Sequence, residues 1–435
     1  MPDRAQQAAV AAAAALVALV YLLGTAYSSG LSEPLVQGDA RSYFAYLPSL
    51  ALDRDLDLTN QFAVLRPEGG DPRYPFGIGA HGRAANPFPI GPALLWLPGY
   101  LAGLAVDAVA DRLGYDTGPF GYGAFAVWGA ALAAIAWVGV GAELSRRLAR
   151  ELVATRYALP ATLLVWFGTP ALYYTLVAPL YSHAAAWFAV ALAAWLGWCA
   201  FKHEDDPARW FAAGAASGLV VAIRLQDAPL LMVPAGMALM AARSARRPRV
   251  VGAMAAGALA GYLPQACAWY ALHGEIIPRQ GLGAPNPPSF SRIAAILFST
   301  GYEGWLSWTP LAAAALVGLA LIARGPFPAP ERSIAVSSLC AVAALVLIDT
   351  IHPYGQGAAF GARRYVSATP LLIVGTAGAI AWCLSQPRLE RAGPLIIGLL
   401  AAINLWLFVA YELLIMRHGV YGSLATTWRY AIGLF

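Results

Sequence analysis

The chain is expected to be an all-α polytopic membrane protein, and three observations lead there. Of its 435 residues, 59% are hydrophobic and only 12% charged, against about a quarter charged in soluble domains. Mean hydropathy is +0.60. The apolar residues gather into runs of spanning length, and the arginines fall in short connections between alternate runs, which is how topology is encoded in membrane proteins. The net charge of +5 follows from those loops and calls for no nucleic-acid partner.

In chain order the apolar runs are 8–27, 91–109, 118–142, 158–174, 183–201, 210–223, 229–242, 250–272, 304–323, 333–351, 366–384 and 392–415. The first, behind Asp3 and Arg4, reads as a retained signal anchor, too long for the core of a cleaved signal peptide. Basic connections lie at 143–157 (Arg146, Arg147, Arg150, Arg156), 202–209 (Lys202, Arg209), 243–249, 324–332 and 385–391. Two apolar segments separate each from the next, so all five share one face, the cytoplasmic one. That parity holds with a cytoplasmic N-terminus only if 91–109 lies in the interface or re-enters. The expectation is therefore eleven spans, with 28–117 as a long first extracytoplasmic loop carrying interfacial helices and residues 1–435 as one membrane domain.

Within that first loop, Gly38-Asp39-Ala40-Arg41-Ser42-Tyr43 stands just beyond the first span, with Tyr43, Tyr46, Leu47 and Leu50 at helical spacing behind it. Asp39 fits either a helix N-cap or a working carboxylate where the chain leaves the bilayer. Asp53, Asp55 and Asp57, with Asn60, space carboxylates two apart as oxygen-rich cation loops do, yet without the usual turn glycine. They read as a divalent-cation site or as a solvated or helix-capping acidic loop.

The sharpest intramembrane signal is Arg224-Leu225-Gln226-Asp227. The hairpin 210–242 has 33 residues, about 50 Å of helix at 1.5 Å per residue, where two full crossings need about 60 Å. Its charged tip should therefore lie below the outer surface, as an internal pair or facing a cavity. His183 begins a returning helix on that same face. Further on, His352-Pro353-Tyr354 and Gly361-Ala362-Arg363-Arg364-Tyr365 lie in one loop. Paired arginines on an outer face run against the positive-inside tendency, and a guanidinium fork for phosphate or for lipid headgroups explains them. The stretch from Gly274 to Gly304 reads as irregular chain over the site, and Trp305 and Trp308 as an interfacial belt.

Cys199, Cys267, Cys340 and Cys383 sit inside apolar runs without CxxC spacing, as small core residues do. No phosphate-binding Gly-Lys loop, GxSxG elbow, HExxH helix or dinucleotide fingerprint occurs, so soluble nucleotide chemistry is unsupported.

With these residues assembled, the chain resembles the GT-C superfamily of polyprenyl-phosphate-sugar-dependent glycosyltransferases, which includes protein O-mannosyltransferases and lipid A aminoarabinose and galacturonic acid transferases. The resemblance rests on one span followed by Gly38-Asp39 and an aromatic helix, then Asn86-Pro87-Phe88-Pro89-Ile90-Gly91-Pro92, the short hairpin at Arg224, and Gly361-Ala362-Arg363-Arg364. It implies a GT-C-like bundle, a polyprenyl-phosphate-linked sugar donor, and a glycan, lipid or protein acceptor outside the cytoplasm. It also implies that Asp39, as the acid of the first outer loop, serves the chemistry as general base. Arg224, Arg363 and Arg364 would then meet the donor phosphate, with His183, Asp227 and His352 as auxiliary polar groups. Ala40 stands where many relatives carry a second acid, which leaves sugar and acceptor open. Two other readings fit the residues: a transporter or flippase of a lipid-linked sugar, its pathway lined by buried Arg and Asp, and a scaffold in which Asp39 is only a cap.

Overall fold

The computed structural model describes residues 1–29, 36–65, 71–241, 247–277, 286–301, 304–352 and 360–434. Pro353, Tyr354, residues 278–285 and most of the 243–249 basic connection therefore lie outside the described residues. The chain is an all-α polytopic membrane protein. Among the described residues there is no strand, only an isolated bridge between Ile78 and Ala84.

Helix α1 (Asp3–Ser29) leads into a buried helical stretch made of α2 (Ala40–Phe44), α3 (Tyr46–Pro48) and a π turn (Ser49–Asp53), followed by α4 (Thr59–Leu65). Then come α5 (Gly91–Arg112), α6 (Ala124–Leu152), α7 (Thr155–Phe167), α8 (Ala171–Leu176), α9 (Ser182–Phe201) and α10 (Pro207–Ile223). A 3-10 turn (Leu225–Leu231) joins α10 to α11 (Met232–Ala241), and α12 (Arg247–His273), α13 (Phe290–Phe298) and α14 (Trp305–Trp308) follow. The rest is α15 (Pro310–Arg324), α16 (Ala329–Ile351), a 3-10 turn (Arg363–Ala368), α17 (Thr369–Ser385), α18 (Ala392–His418) and α19 (Leu424–Ala431). Eight of the described helices are long and apolar enough to cross a membrane, and three shorter apolar ones accompany them.

Ion pairs fix the direction of the first helices. Asp3, at the start of α1, binds Arg146 at 2.9 Å and Arg150 at 2.7 Å, near the end of α6. Arg146 is fully buried and also meets Glu143 at 2.7 Å. Glu151 pairs with Lys202 at the end of α9. These termini share one basic end, so α1 and α6 run antiparallel, and the chain between them begins and finishes at the opposite end. Helix α5 is 22 residues long and is one of the eight helices of spanning length. Gly91 packs on Ala222 and Ile223 at the far end of α10, and Gly99 and Gly103 then lie against Gly129 and Phe125 of α6. Asp107, near the end of α5, caps α6: it accepts from the Phe125 and Ala126 amides at 3.1 and 2.8 Å, satisfying orphan donors at the start of α6.

In hydrocarbon, helices associate by close packing of small residues. On α10, a Cβ at Gly214 would fall 2.0 Å from the Met254 carbonyl and one at Gly218 2.2 Å from that of Ala258. The equal offset makes α10 and α12 parallel, with α11 returning between them.

Several expectations change. The apolar run 158–174 breaks at Gly168–Pro170, where Thr169 turns its hydroxyl back to the Val165 carbonyl at 2.7 Å. The first-loop helix does not rest on lipid: Tyr43, Phe44, Tyr46 and Leu47 are each at most 6% exposed. Tyr43 meets Phe88 and Trp96 edge-on at 5.1 and 6.3 Å. The Asn86-Pro87-Phe88 segment is its clamp, since Asn86 donates to the Ser42 carbonyl and Tyr46 to the Phe88 carbonyl. Trp305 and Trp308 form no belt; both are buried, Trp305 stacked on Tyr365 at 4.2 Å. The stretch before them is not wholly irregular, because α13 forms there with Phe290 and Phe298 exposed.

Candidate active site

Opposite the basic end, the site grows from three breaks in helical structure: the turn before α2, the extended residue ending α10, and the 3-10 turn before α17. Gly38 has φ +56, and a Cβ there would lie 2.4 Å from the Tyr181 hydroxyl. Glycine takes that left-handed turn without strain and leaves room for the Tyr181 hydroxyl beside Asp39. Gly38→Ala is expected to cost about 1–2 kcal/mol, the usual left-handed penalty, read as a lower melting midpoint in detergent.

Asp39 stands at the start of α2 but its side chain makes no capping hydrogen bond. Its carboxylate meets Arg363 Nη1 at 3.0 Å instead, with the two side chains 36% and 20% exposed. Arg363 also lies 6.0 Å from the centre of the Tyr181 ring, at the edge of cation–π range. Gly361, at φ +63, packs against Pro170, where a Cβ would fall 2.4 Å from the proline ring. That contact presses the Arg363 turn onto the α7–α8 break.

Behind this pair lies a buried network. Arg224 is extended at φ −154; its Nη1 donates to Ser182 Oγ at 3.1 Å and its Nη2 to Gln226 at 2.9 Å. Its Nε is 3.1 Å from Asp227, close enough for an ion pair but not aligned as a hydrogen bond. Asp227 is fully buried and accepts from Ser367 at 2.9 Å. Ser182 also accepts from Tyr43 at 2.8 Å, and burial pushes that phenol up to about 12, so it stays a neutral donor. Gln226 reaches His352 at 2.9 Å. Arg364 donates to His352 Nδ1 at 3.1 Å and forms an ion pair with Asp349, which also accepts from Tyr365 at 3.0 Å. The internal-pair reading of the hairpin tip thus describes Arg224 and Asp227.

The arginines sort by exposure. Arg224–Asp227 and Arg364–Asp349 are sealed, at 8% and 0% and at 11% and 4%. Arg363–Asp39 is open. His183 is 3% exposed between the Tyr174 and Tyr181 rings, and its Nδ1 has no hydrogen-bond partner among the described residues. Sequence reasoning missed Asp349, although a carboxylate inside the 333–351 run was a signal. It also missed Ser182, Gln226 and Ser367, whose roles arise only from contacts.

The three carboxylates at 53–57 do not converge. Asp53 accepts from Asn60 at 2.9 Å and from Gln61; Asp55 accepts from Ser49 at 3.0 Å; Asp57 accepts from the Thr59 amide at 3.1 Å, at the start of α4. Among the described residues no group of three His, Cys, Asp or Glu side chains is arranged to hold a metal. In this structure the three carboxylates serve as local hydrogen-bond acceptors, Asp57 at the start of α4.

The chain matches no family model and no curated protein sequence. It is similar in structure to ArnT from Cupriavidus metallidurans in the apo state. The match covers 98% of this chain and 74% of ArnT, with a TM-score of 0.52 at 15% identity. The shared feature is the fold. That likeness agrees with the all-α polytopic bundle expected from the sequence.

Proposed function

We propose that this protein is a membrane glycosyltransferase that moves a sugar from a polyprenyl-phosphate donor to an acceptor hydroxyl, with inversion. The observation that carries the reading is the open Asp39–Arg363 pair, in a bundle whose other two site arginines are sealed against carboxylates. By the positive-inside rule the basic end faces the cytoplasm, which puts the site on the outer side, where the donor's anionic head meets its lipid tail.

In the reaction, Asp39 takes the proton of the acceptor hydroxyl as its oxygen attacks the anomeric carbon. The bond from that carbon to the phosphate oxygen breaks, its electron pair leaves with polyprenyl phosphate, and a cation stabilises that charge. Arg363 is the cation suited to this, because its pair is exposed; Arg224 and Arg364 hold the turns that position it. Carboxylate and phosphate compete for the same guanidinium. The donor therefore draws Arg363 away from Asp39 and leaves the carboxylate ready as base, which orders donor binding before proton transfer.

The test is transfer of labelled sugar from a panel of polyprenyl-phosphate sugars in proteoliposomes, with polyprenyl-phosphate binding measured alongside. Arg363→Ala is expected to weaken binding about 10- to 100-fold, the value of a charge-assisted bond, and Arg363→Lys to recover part of it. Unchanged binding in Arg363→Ala would remove Arg363 from this role. Flux of lipid-linked sugar without acceptor, and no transfer from any donor, would favour a transporter instead.

A further inference from the structure

A second polar concavity lies away from the buried network, between the first loop and the end of α12. It is an open groove of about 510 Å³ lined by Leu50, Arg54, Asp55, Leu56, Arg83 and Ala271, within the size range of small-ligand sites. Its cations differ from those of the site. The Arg54 guanidinium makes no hydrogen bond or ion pair among the described residues, and Arg83 reaches only the Ala271 carbonyl, at 3.5 Å. Arg54 also holds φ +59 and ψ 36, a left-handed conformation closing the π turn, where glycine would sit without strain. A strained, unpaired arginine on a groove rim is an outlier that asks for a function.

We infer that this groove is an anion-binding acceptor subsite, taking the phosphate or carboxylate of an acidic sugar. Two guanidiniums supply charge-assisted bonds to the anion. Asp55, whose Oδ1 already accepts from Ser49 at 3.0 Å and from the Asp57 amide at 3.1 Å, keeps acceptor capacity for a sugar hydroxyl. Leu50, Leu56 and Ala271 offer an apolar floor to the ring. The helical stretch Ala40–Asp53 joins the groove to Asp39, roughly 20 Å at helical rise, a span for an acceptor of several sugar units. Calling the ligand an acceptor rests on the transferase reading, whereas anion binding does not.

The test uses the full chain in phosphatidylcholine nanodiscs with no donor present, so its outcome is independent of transfer. Binding of mannose 6-phosphate is compared with that of mannose and of inorganic phosphate. The sugar phosphate is expected to bind at least tenfold more tightly than either. Arg54→Gly and Arg83→Ala should each weaken it about tenfold, while Arg54→Gly raises the melting midpoint by releasing the strained turn. Equal binding of mannose and mannose 6-phosphate, or unchanged binding in Arg54→Gly, would overturn the subsite. An Arg54- and Arg83-dependent signal from phosphatidylglycerol discs without any sugar would overturn the acceptor assignment, marking the groove as a lipid-headgroup contact.

Discussion

Asp39→Asn is expected to lower sugar transfer by about 10²- to 10⁴-fold, the usual contribution of a positioned general base, while the protein folds normally. The side chain caps no helix and stands 36% exposed, so its loss removes little packing. The same substitution should tighten polyprenyl-phosphate binding several-fold, because the neutral amide no longer competes for the Arg363 guanidinium. The two readouts therefore move in opposite directions, which a general structural defect cannot produce. The measurements are transfer and lipid-phosphate binding in proteoliposomes, with melting midpoints of both proteins. Undiminished transfer in Asp39→Asn would dismiss the base, and weakened phosphate binding would dismiss the competition.

Arg224→Met should destabilise the protein by about 3–5 kcal/mol, the cost of stripping the partner from a buried charge. Asp227 is fully buried, and its remaining hydrogen bond, from Ser367, cannot replace the guanidinium. Arg224 also joins Ser182 to Gln226, so its removal severs the first-loop contact at Tyr43 from the His352–Arg364 side. The double variant Arg224→Met/Asp227→Leu removes both charges and should regain most of the melting midpoint, since neutral replacement of a buried pair is often tolerated. Transfer should remain low in the double variant, because the network that holds the Arg363 turn stays broken. Full recovery of transfer together with stability would reduce the pair to a local staple of the hairpin.

Much of the fold was legible because its causes are local or periodic. Apolar run length set the helices, and the alternate arginine loops pointed to a shared basic end, where the Asp3–Arg146 pair ties α1 to α6 in three dimensions. Asp39, Arg224, Arg363 and Arg364 were visible as charges where membrane proteins seldom place them. Their division of labour was not visible. Arg363 and Arg364 are neighbours in sequence, yet one faces Asp39 in the open and the other Asp349 in the interior.

The sequence by itself determined a polytopic helical bundle and the loops in which unusual charges collect, because hydropathy and loop charge act over a few residues at a time. Tertiary structure alone decided which arginine is open, that the first-loop aromatics are buried in protein, and that the acids at 53–57 serve as local acceptors. Each depends on a partner brought from elsewhere or on the exact turn of the backbone, such as Asp349, fifteen residues from Arg364, or Phe88, whose carbonyl holds Tyr46. A charge in a low-dielectric interior is defined by its partner, and partners are chosen by packing.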